Sequence, residues 1–406
     1  MALRTRINML TVAEAQARLL ARVAPLPPET VALAFAAGRR AAADTHATLT
    51  SPPFAVAAMD GYAICWTDRA GPWRVVGEAA AGRGFAGHVG AGGAARIFTG
   101  APLPAGTDTV IVQEDVARDG ETLRLTGDGP PGQGAHIRRA GLDFATGDRV
   151  VAAGEPLTPA RLGLLAASGH GSVAVRLRPR VALLTTGDEL VAPGIVPGCD
   201  QIVNANSVML AALLCATGAE VVDCGIVPDR RDVLAAAIRD ARDADVLVTV
   251  GGASVGDHDL VVPVLTEMGA AIDFWKVALR PGKPLLAGTL GGQRIVGLPG
   301  NPVSAFVCAL LFVAPLLRAL GGDPDPLPRL RHARLGNKLP ANGVRQDYLR
   351  ATLDDGVIVA AATQDSSMLR TLAVSNALLV RAPGAAPAEA DQIVDYHALD
   401  FVPGVA

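Results

Sequence analysis

Residues 243–259 read DADVLVTVGGASVGDHD, and the fold turns on this stretch. The run Val246-Leu247-Val248-Thr249-Val250 is short, apolar and β-branched, as expected of a buried strand rather than a helix. It stops at Gly251-Gly252, where the missing side chains let a ligand come close to the backbone. Ser254, Asp257, His258 and Asp259 follow. In an open α/β sheet, ligands sit outside the carboxyl ends of the strands, so polar residues here are candidates for substrate or metal contact. A plain acidic turn opening a helix would use the same residues, and the neighbouring segments decide between the two.

Working outward, the same arrangement recurs. A strand over 181–185 runs into Thr186-Gly187-Asp188-Glu189, and one over 220–227 into Pro228-Asp229. A further strand over 295–297 leads to Pro299-Gly300-Asn301-Pro302, with Asn as helix cap and Pro at the first helical position. Helices are expected over 207–217, 230–241, 260–268 and 302–320. Alternating strands and helices predict βαβ units and a parallel sheet, whose strand-end loops meet on one edge. A glycine turn feeding a helix start attracts anions. Carboxylates beside it would repel a phosphate unless a cation bridges them, a role that suits Mg²⁺. Beyond this edge, FWKVALRPGKP (274–284) places Lys276, Arg280 and Lys283 around a Pro-Gly-Lys-Pro turn. Lys276, Lys283 and Lys338 are the chain's lysines, so two fall in this one segment. Fixed cations of this kind suit an oxyanion.

The flanking text differs. Thr11-Val-Ala-Glu14 is a capping box opening a helix, and a second helix is expected over 29–42. From about residue 51 to 149, short β-rich runs separated by Gly, Pro and Asp predict a small all-β domain. Residues 159–168 read as a helix. After the proline-rich linker 321–328, short strands return to about residue 402. The 406 residues suffice for two to four domains at about 100–200 residues each. A net charge of −3 and 4% aromatics exclude an electrostatic or base-stacking case for nucleic acid, and give none for an anionic membrane. The cysteines (Cys65, Cys199, Cys215, Cys224, Cys308) form no C-x-x-C pair, which predicts reduced thiols in a cytoplasmic chain. No secretory signal is expected. The apolar run 303–317 is shorter than the ~20 residues of a membrane span and contains Pro315, so it reads as a buried helix.

SPPFAVAAMDGYA (51–63), RIFTGAPLPAGTDTVIVQED (96–115), IRRAGLDFATGD (137–148), LLTTGDEL (183–190), NANSVML (204–210), VTVGGASVGDHD (248–259), FWKVALRPGKP (274–284) and GLPGNPVSAF (297–306), in this order, resemble the molybdopterin molybdenumtransferase family: bacterial MoeA and the E domain of gephyrin. MDGYA, FTGAP and GLPGNPVS are specific in combination. TGDE and GGxSVG also resemble the single-domain molybdopterin adenylyltransferases.

The resemblance implies a multidomain α/β and β chain. Residues 1–45 plus 146–178 would form an elongated dimerisation domain, 46–145 an inserted β domain, 179–326 a MogA-like α/β domain with a parallel-rich sheet, and 327–406 a C-terminal β-barrel. It implies a homodimer with its cleft at the dimer interface, and contact with other proteins of molybdenum cofactor synthesis. The implied activity is Mg²⁺-dependent transfer of molybdate to adenylylated molybdopterin, with release of AMP. By motif, Asp60, Asp143, Glu189, Asp229 and Asp259 take catalytic roles. Thr99, Gly251, Gly252, Ser254, Lys276, Arg280, Lys283, Pro299, Ser304, Arg350 and Ser366 take substrate or anion roles. Asp188, Glu189 and Asp259 are the expected metal ligands. The chain departs from the family where Gln364-Asp365-Ser366-Ser367 replaces a Gly-Ser loop, and where Arg280 occupies a position that can hold Lys. Two other readings are an adenylyltransferase, which would consume ATP, and a non-catalytic gephyrin-type scaffold, which would bind partner peptides without turnover.

Overall fold

The structure, a computed structural model, describes residues 9–252 and 260–400. Ser254, Asp257, His258 and Asp259 therefore lie outside the described residues. Two compact units are present: Met1–Glu29, Gly38–Ala42 and Val175–Ala406 form one, and Thr30–Ala37 with Ala43–Ala174 form the other.

The larger unit is built on a six-stranded sheet in the order Glu220–Val227, Arg180–Thr186, Val246–Val250, Gln293–Leu298, Leu286–Leu290 and Ala271–Phe274. The first four strands are parallel, and the last two join antiparallel. The apolar run of residues 246–250 is continuous because both of its faces are covered. Alternation then sorts the side chains. Val181, Leu183, Val246, Val248 and Val250 face a core shared with Leu210, Leu310 and Leu317. Ala182, Leu184 and Leu247 face the opposite core of Leu234, Ile238, Val264 and Leu265. The two antiparallel strands went unforeseen. Gly291-Gly292, with Gly291 at φ +61°, is the turn that makes the hairpin of Leu286–Leu290 and Gln293–Leu298.

After the linker, Gln346–Asp354, Val357–Ala360, Arg331–Leu335, Ile393–Ala398 and Ala377–Arg381 pair in that order, and the last returns to the first, closing a five-stranded barrel. The expected C-terminal barrel is present. Leu279–Arg280 adds outside it, parallel to Gln346–Asp354, with Arg280 opposite Asp347. In the smaller unit a six-stranded sheet runs in the order Thr109–Val112, Gly61–Ile64, Gly93–Ile97, Trp73–Ala79, Thr122–Leu125 and Val116–Asp119, the expected β domain.

One helix expectation fails. Residues 29–42 do not form a helix. Pro28–Ala32 is a strand and Leu33–Phe35 a single 3₁₀ turn. Pro27-Pro28 and the β-branched pair Thr30-Val31 favour extended backbone, and Gly38 at φ +73° ends any continuation.

The apolar helix spans the expected residues and does not break at Pro315. It runs Pro302–Leu320 and is almost wholly buried inside the protein. A π-helical turn, Ala309–Val313, precedes the proline and takes up the clash of its ring with the preceding turn. The lost N–H would leave the Leu311 carbonyl unpaired. Gln16 Nε2, from the helix Val12–Leu20, donates to that carbonyl at 2.9 Å. Gln16→Leu should therefore lower stability by about 1–3 kcal/mol, as for a buried acceptor stripped of its donor. The loss should shrink when Pro315→Ala restores a backbone donor. Urea midpoints of both single variants and the double variant read this.

His397 lies buried in the barrel, with Nδ1 2.9 Å from the Arg329 carbonyl and its ring stacked on Tyr348. Burial disfavours the imidazolium and lowers its pKa. The unfolded chain then binds more protons below about pH 6.5, so this residue's contribution is present above that pH and is lost as pH falls. Wild-type stability should drop from pH 7 toward pH 5, and the His397→Gln variant should show a shallower dependence in urea titrations.

Candidate active site

Parallel pairing brings four strand ends to one edge of the sheet. After Arg180–Thr186 comes Gly187 at φ +152°, where an added Cβ would lie 2.6 Å from the Glu189 carboxylate. Asp188 Oδ1 accepts from the Asp229 N–H at 3.0 Å, so the loops after the first two strands are joined through two predicted site residues. Asp188, Glu189 and Asp229 are exposed.

Gly251 and Gly252 both have positive φ, +89° and +59°. A Cβ on Gly251 would meet the Thr186 carbonyl at 2.6 Å, so only glycine fits between the adjacent strand ends. The Gly251 N–H donates to the Leu298 carbonyl at 3.1 Å. Asn206 Nδ2 donates to the Gly300 carbonyl at 2.6 Å and anchors the Pro299-Gly300-Asn301 loop. Within that loop Pro299 is buried and Gly300 and Asn301 are exposed. Behind the edge, Thr186 Oγ1 and Asn206 Oδ1 are buried with no hydrogen-bond partner among the described residues. Unsatisfied buried polar atoms are uncommon and gather at sites of chemistry.

The start of the helix Pro302–Leu320 is where the α/β block meets the barrel. The Asn301 side chain makes no cap to its own helix. Its Nδ2 donates instead to Ser366 Oγ at 3.0 Å. The Val303 N–H donates to the Ser366 carbonyl at 3.0 Å. The loop that departs from the family's Gly-Ser is thus docked on the helix start. Gln364 pairs reciprocally with the Arg350 backbone, accepting from its N–H and donating to its carbonyl at 2.9 Å each. Arg350, 1% exposed, donates from Nη2 to the Asp365 carbonyl, and its Nε has no partner among the described residues. Asp365 Oδ1 accepts from the Ser367 hydroxyl at 2.6 Å and N–H at 2.8 Å, which hold its carboxyl below the usual range. The negative charge of Asp365 is thereby tied to Ser367, whereas Ser366 stays at the helix start.

The basic segment packs against the same helix. Gly282, at φ +112°, leaves room for nothing larger, since a Cβ would fall 2.4 Å from Cys308 Sγ and 3.4 Å from the Ser304 carbonyl. Ser304 and Cys308 are buried, and burial pushes the Cys308 thiol well above its ordinary pKa. The Val277 N–H donates to the Lys283 carbonyl at 3.1 Å and closes the turn, leaving the Lys283 side chain exposed. Lys276 Nζ sits over the Trp275 ring, 5.6 Å from its centroid. Arg280 forms an ion pair with Asp347, a carboxylate the sequence reading passed over. Burial pushes the Asp347 carboxyl up, and the neighbouring Arg280 opposes that shift.

In the smaller unit, Asp60 Oδ1 accepts from both the N–H and the hydroxyl of Thr99, each at 2.8 Å, and these bonds hold its carboxyl low. Asp143 is exposed, and its N–H donates to the Ser51 carbonyl at 3.0 Å. The predicted site residues therefore form two groups, one in each unit.

Among the described residues, no group of three or more His, Cys, Asp or Glu side chains is arranged to hold a metal. Asp188 and Glu189 stand next to each other on one exposed loop, and Mg²⁺ needs only one or two carboxylates when phosphate oxygens and water complete its shell. Asn206, Asp347 and Gln364 were missed in the sequence. The Asn in NANS beside a helix start was the available signal for Asn206. Nothing local marked the other two, whose partners lie 67 and 14 residues away.

Gly282→Ala should cost about 1–3 kcal/mol through overpacking against Cys308 and the positive φ. In the native wild type, Cys308 should stay unreactive toward a thiol reagent while exposed Cys199 and Cys215 react. In the variant, Cys308 labelling should rise, as measured by mass spectrometry.

Three family descriptions match the chain in succession: the MoeA N-terminal region (domain I and II) over residues 10–169, a probable molybdopterin binding domain over 182–319, and the MoeA C-terminal region (domain IV) over 332–399. "Molybdopterin molybdenumtransferase 2" of Mycobacterium tuberculosis is 36% identical over 367 residues, covering 87% of this chain and 90% of that protein. "Molybdopterin molybdenumtransferase" of Haemophilus influenzae is 39% identical over 320 residues, 78% of each. The crystal structure of a molybdopterin biosynthesis MoeA protein from Pyrococcus horikoshii superposes with a TM-score of 0.81 at 30% identity, covering 96% of this chain and 99% of that one. The order of motifs, the MogA-like sheet followed by a closed barrel, and these likenesses over most of the chain establish that it belongs to the MoeA family of molybdopterin molybdenumtransferases, transferases of molybdenum cofactor synthesis.

Proposed function

We propose that this chain transfers molybdate to adenylylated molybdopterin and releases AMP, working with Mg²⁺ in the cytoplasm as a homodimer of four-domain subunits. The single observation that carries the reading is the helix start at Asn301-Pro302. Ser366 of the barrel loop, the glycine edge at Gly251 and the Lys283 turn are all fixed to this helix or its preceding strand. Phosphate and a tetrahedral oxyanion both suit donors and cations gathered there.

In this reading Gly251, Gly252, Ser254 and Pro299 lie along the pterin-nucleotide, with Thr186 and Asn206 behind them. Lys276, Arg280 and Lys283, with Ser304, Arg350 and Ser366, hold molybdate against the dithiolene sulfurs. Asp188, Glu189 and Asp259 would hold Mg²⁺, which when bound offsets the repulsion between these carboxylates and the phosphates. Asp60, Asp143 and Asp229 act as catalytic carboxylates, and Thr99 keeps Asp60 ionised and oriented. A water oxygen attacks the adenylyl phosphorus, the phosphoanhydride bond breaks with the pterin phosphate as leaving group, and AMP departs. The two dithiolene thiols displace one oxygen of molybdate, which leaves as water with both thiol protons. Cations placed where that charge develops supply most of the acceleration. Contacts with other proteins of molybdenum cofactor synthesis would deliver and remove the pterin.

Purified protein supplied with adenylylated molybdopterin, molybdate and Mg²⁺ should release AMP above the protein-free control without consuming ATP. Lys283→Ala should lower the rate by about 10²–10³-fold, the range for loss of one electrostatic stabiliser. Absence of wild-type AMP release would overturn the reading, and ATP consumption would favour an adenylyltransferase.

A further inference from the structure

Arg280 stands in the basic segment, but its setting differs from that of Lys283. Leu279–Arg280 is a short strand added outside the closed barrel, and the parallel register puts Arg280 directly opposite Asp347. The Asp347 side chain is 4% exposed and the Arg280 side chain 56%. One end of the guanidinium is therefore pinned to a buried carboxylate while the rest faces outward. The surrounding backbone is rigid: the Gln346 N–H donates to the Ala278 carbonyl at 2.9 Å, one rung of the ladder that carries both residues. Both residues line a cavity of about 290 Å³ whose other charged side chains include Lys338 and Arg381. Those two cations are engaged elsewhere, Lys338 with Glu389 at 2.6 Å and Arg381 with the Pro340 and Ala386 carbonyls. Arg280 is thus paired with a buried carboxylate while its own side chain stays largely exposed, whereas the partner of Lys338 is itself exposed.

A guanidinium presents five donors in a planar fork, so a carboxylate gripping one edge fixes the direction of the others. A lysine at this position would offer a rotating ammonium instead of a fixed fork.

We propose that Asp347 is a positioning residue for oxyanion binding: it orients Arg280 so that the outward N–H groups meet the incoming tetrahedral oxyanion in a fixed geometry. The inference rests on the reading of the basic segment as the molybdate-holding element. Asp347 touches no substrate and acts through Arg280.

AMP release is measured against molybdate concentration for wild type, Asp347→Asn, Asp347→Glu, Arg280→Ala and the Arg280→Ala/Asp347→Asn double variant, with urea midpoints for each. Asp347→Asn should raise the KM for molybdate about tenfold while kcat stays within about threefold, as for loss of a charge-assisted orienting bond. Asp347→Glu, which keeps the ion pair and shifts only its geometry, should recover most of that loss yet remain measurably above wild type. In the Arg280→Ala background, Asp347→Asn should add nothing, because the two act as one unit. An unchanged KM in Asp347→Asn would overturn the proposal, as would equal losses with and without Arg280, or a lowered urea midpoint with KM unmoved. If Asp347→Asn does not fold, a wild-type KM in Asp347→Glu overturns it. A wild type that releases no AMP would instead overturn the proposed function. Equilibrium dialysis of molybdate across the same proteins then reads the positioning role alone, with weaker retention by Asp347→Asn expected and equal retention overturning it.

Discussion

Burial of the helix Pro302–Leu320 against the parallel sheet is the constraint on which the rest of the larger unit depends. Its residues are apolar all round, so it must be enclosed, and both the sheet and the N-terminal helix pack on it. The burial of each large aliphatic side chain contributes about 1.5–3 kcal/mol, so the register of this helix is held firmly. Three features of the candidate site are set by that register. Gly282 fits only against Cys308 of the helix, Ser366 docks only on its first turn, and the Pro299–Asn301 loop is the short link that feeds it. The candidate site and the core are one construction, because the same helix carries both.

Electrostatics adds a second layer. The strand-end edge carries carboxylates, Asp188, Glu189 and Asp229, while the basic segment and the barrel face carry Lys283, Arg280 and Arg350. Under the proposed function both the phosphates and the incoming oxyanion are anionic, so the basic groups would meet the oxyanion directly whereas the acidic edge would need a bridging cation. The carboxylates that could interfere at the basic end are tied down. Asp365 is bonded to Ser367 and Asp347 is paired with Arg280. Asp365 stays ionised with its lone pairs engaged by Ser367, and Ser366 keeps the helix-start contact.

Much of this was legible in the sequence because it rests on local rules. Short β-branched runs ending in glycine, Asn-Pro at a helix start and alternating strands and helices are read within a few residues, and they led to the parallel sheet; the closed barrel came from the motif resemblance. The helix expected over 29–42 fails for an equally local reason: consecutive prolines followed by β-branched residues favour extended backbone. Motif resemblance named Asp60 and Thr99 separately, and the structure joins them in one hydrogen-bonded pair.

The sequence by itself determined the parallel strands and helices of the α/β block, that the strand ends carry glycines and carboxylates, and that the chain is a MoeA-type molybdenumtransferase by the order of its motifs. It did not show the strand Pro28–Ala32 or the two antiparallel strands Ala271–Phe274 and Leu286–Leu290. Tertiary structure alone decided the partners. Gln16 rescuing the carbonyl that Pro315 leaves unpaired, Gln364 pairing with the Arg350 backbone and Asp347 pinning Arg280 all join residues far apart in the chain or on separate elements. Periodicity and propensity describe how a segment meets its own neighbours. They carry no information on which distant donor will reach a given acceptor, because that is fixed only when the sheet, the buried helix and the barrel close on one another.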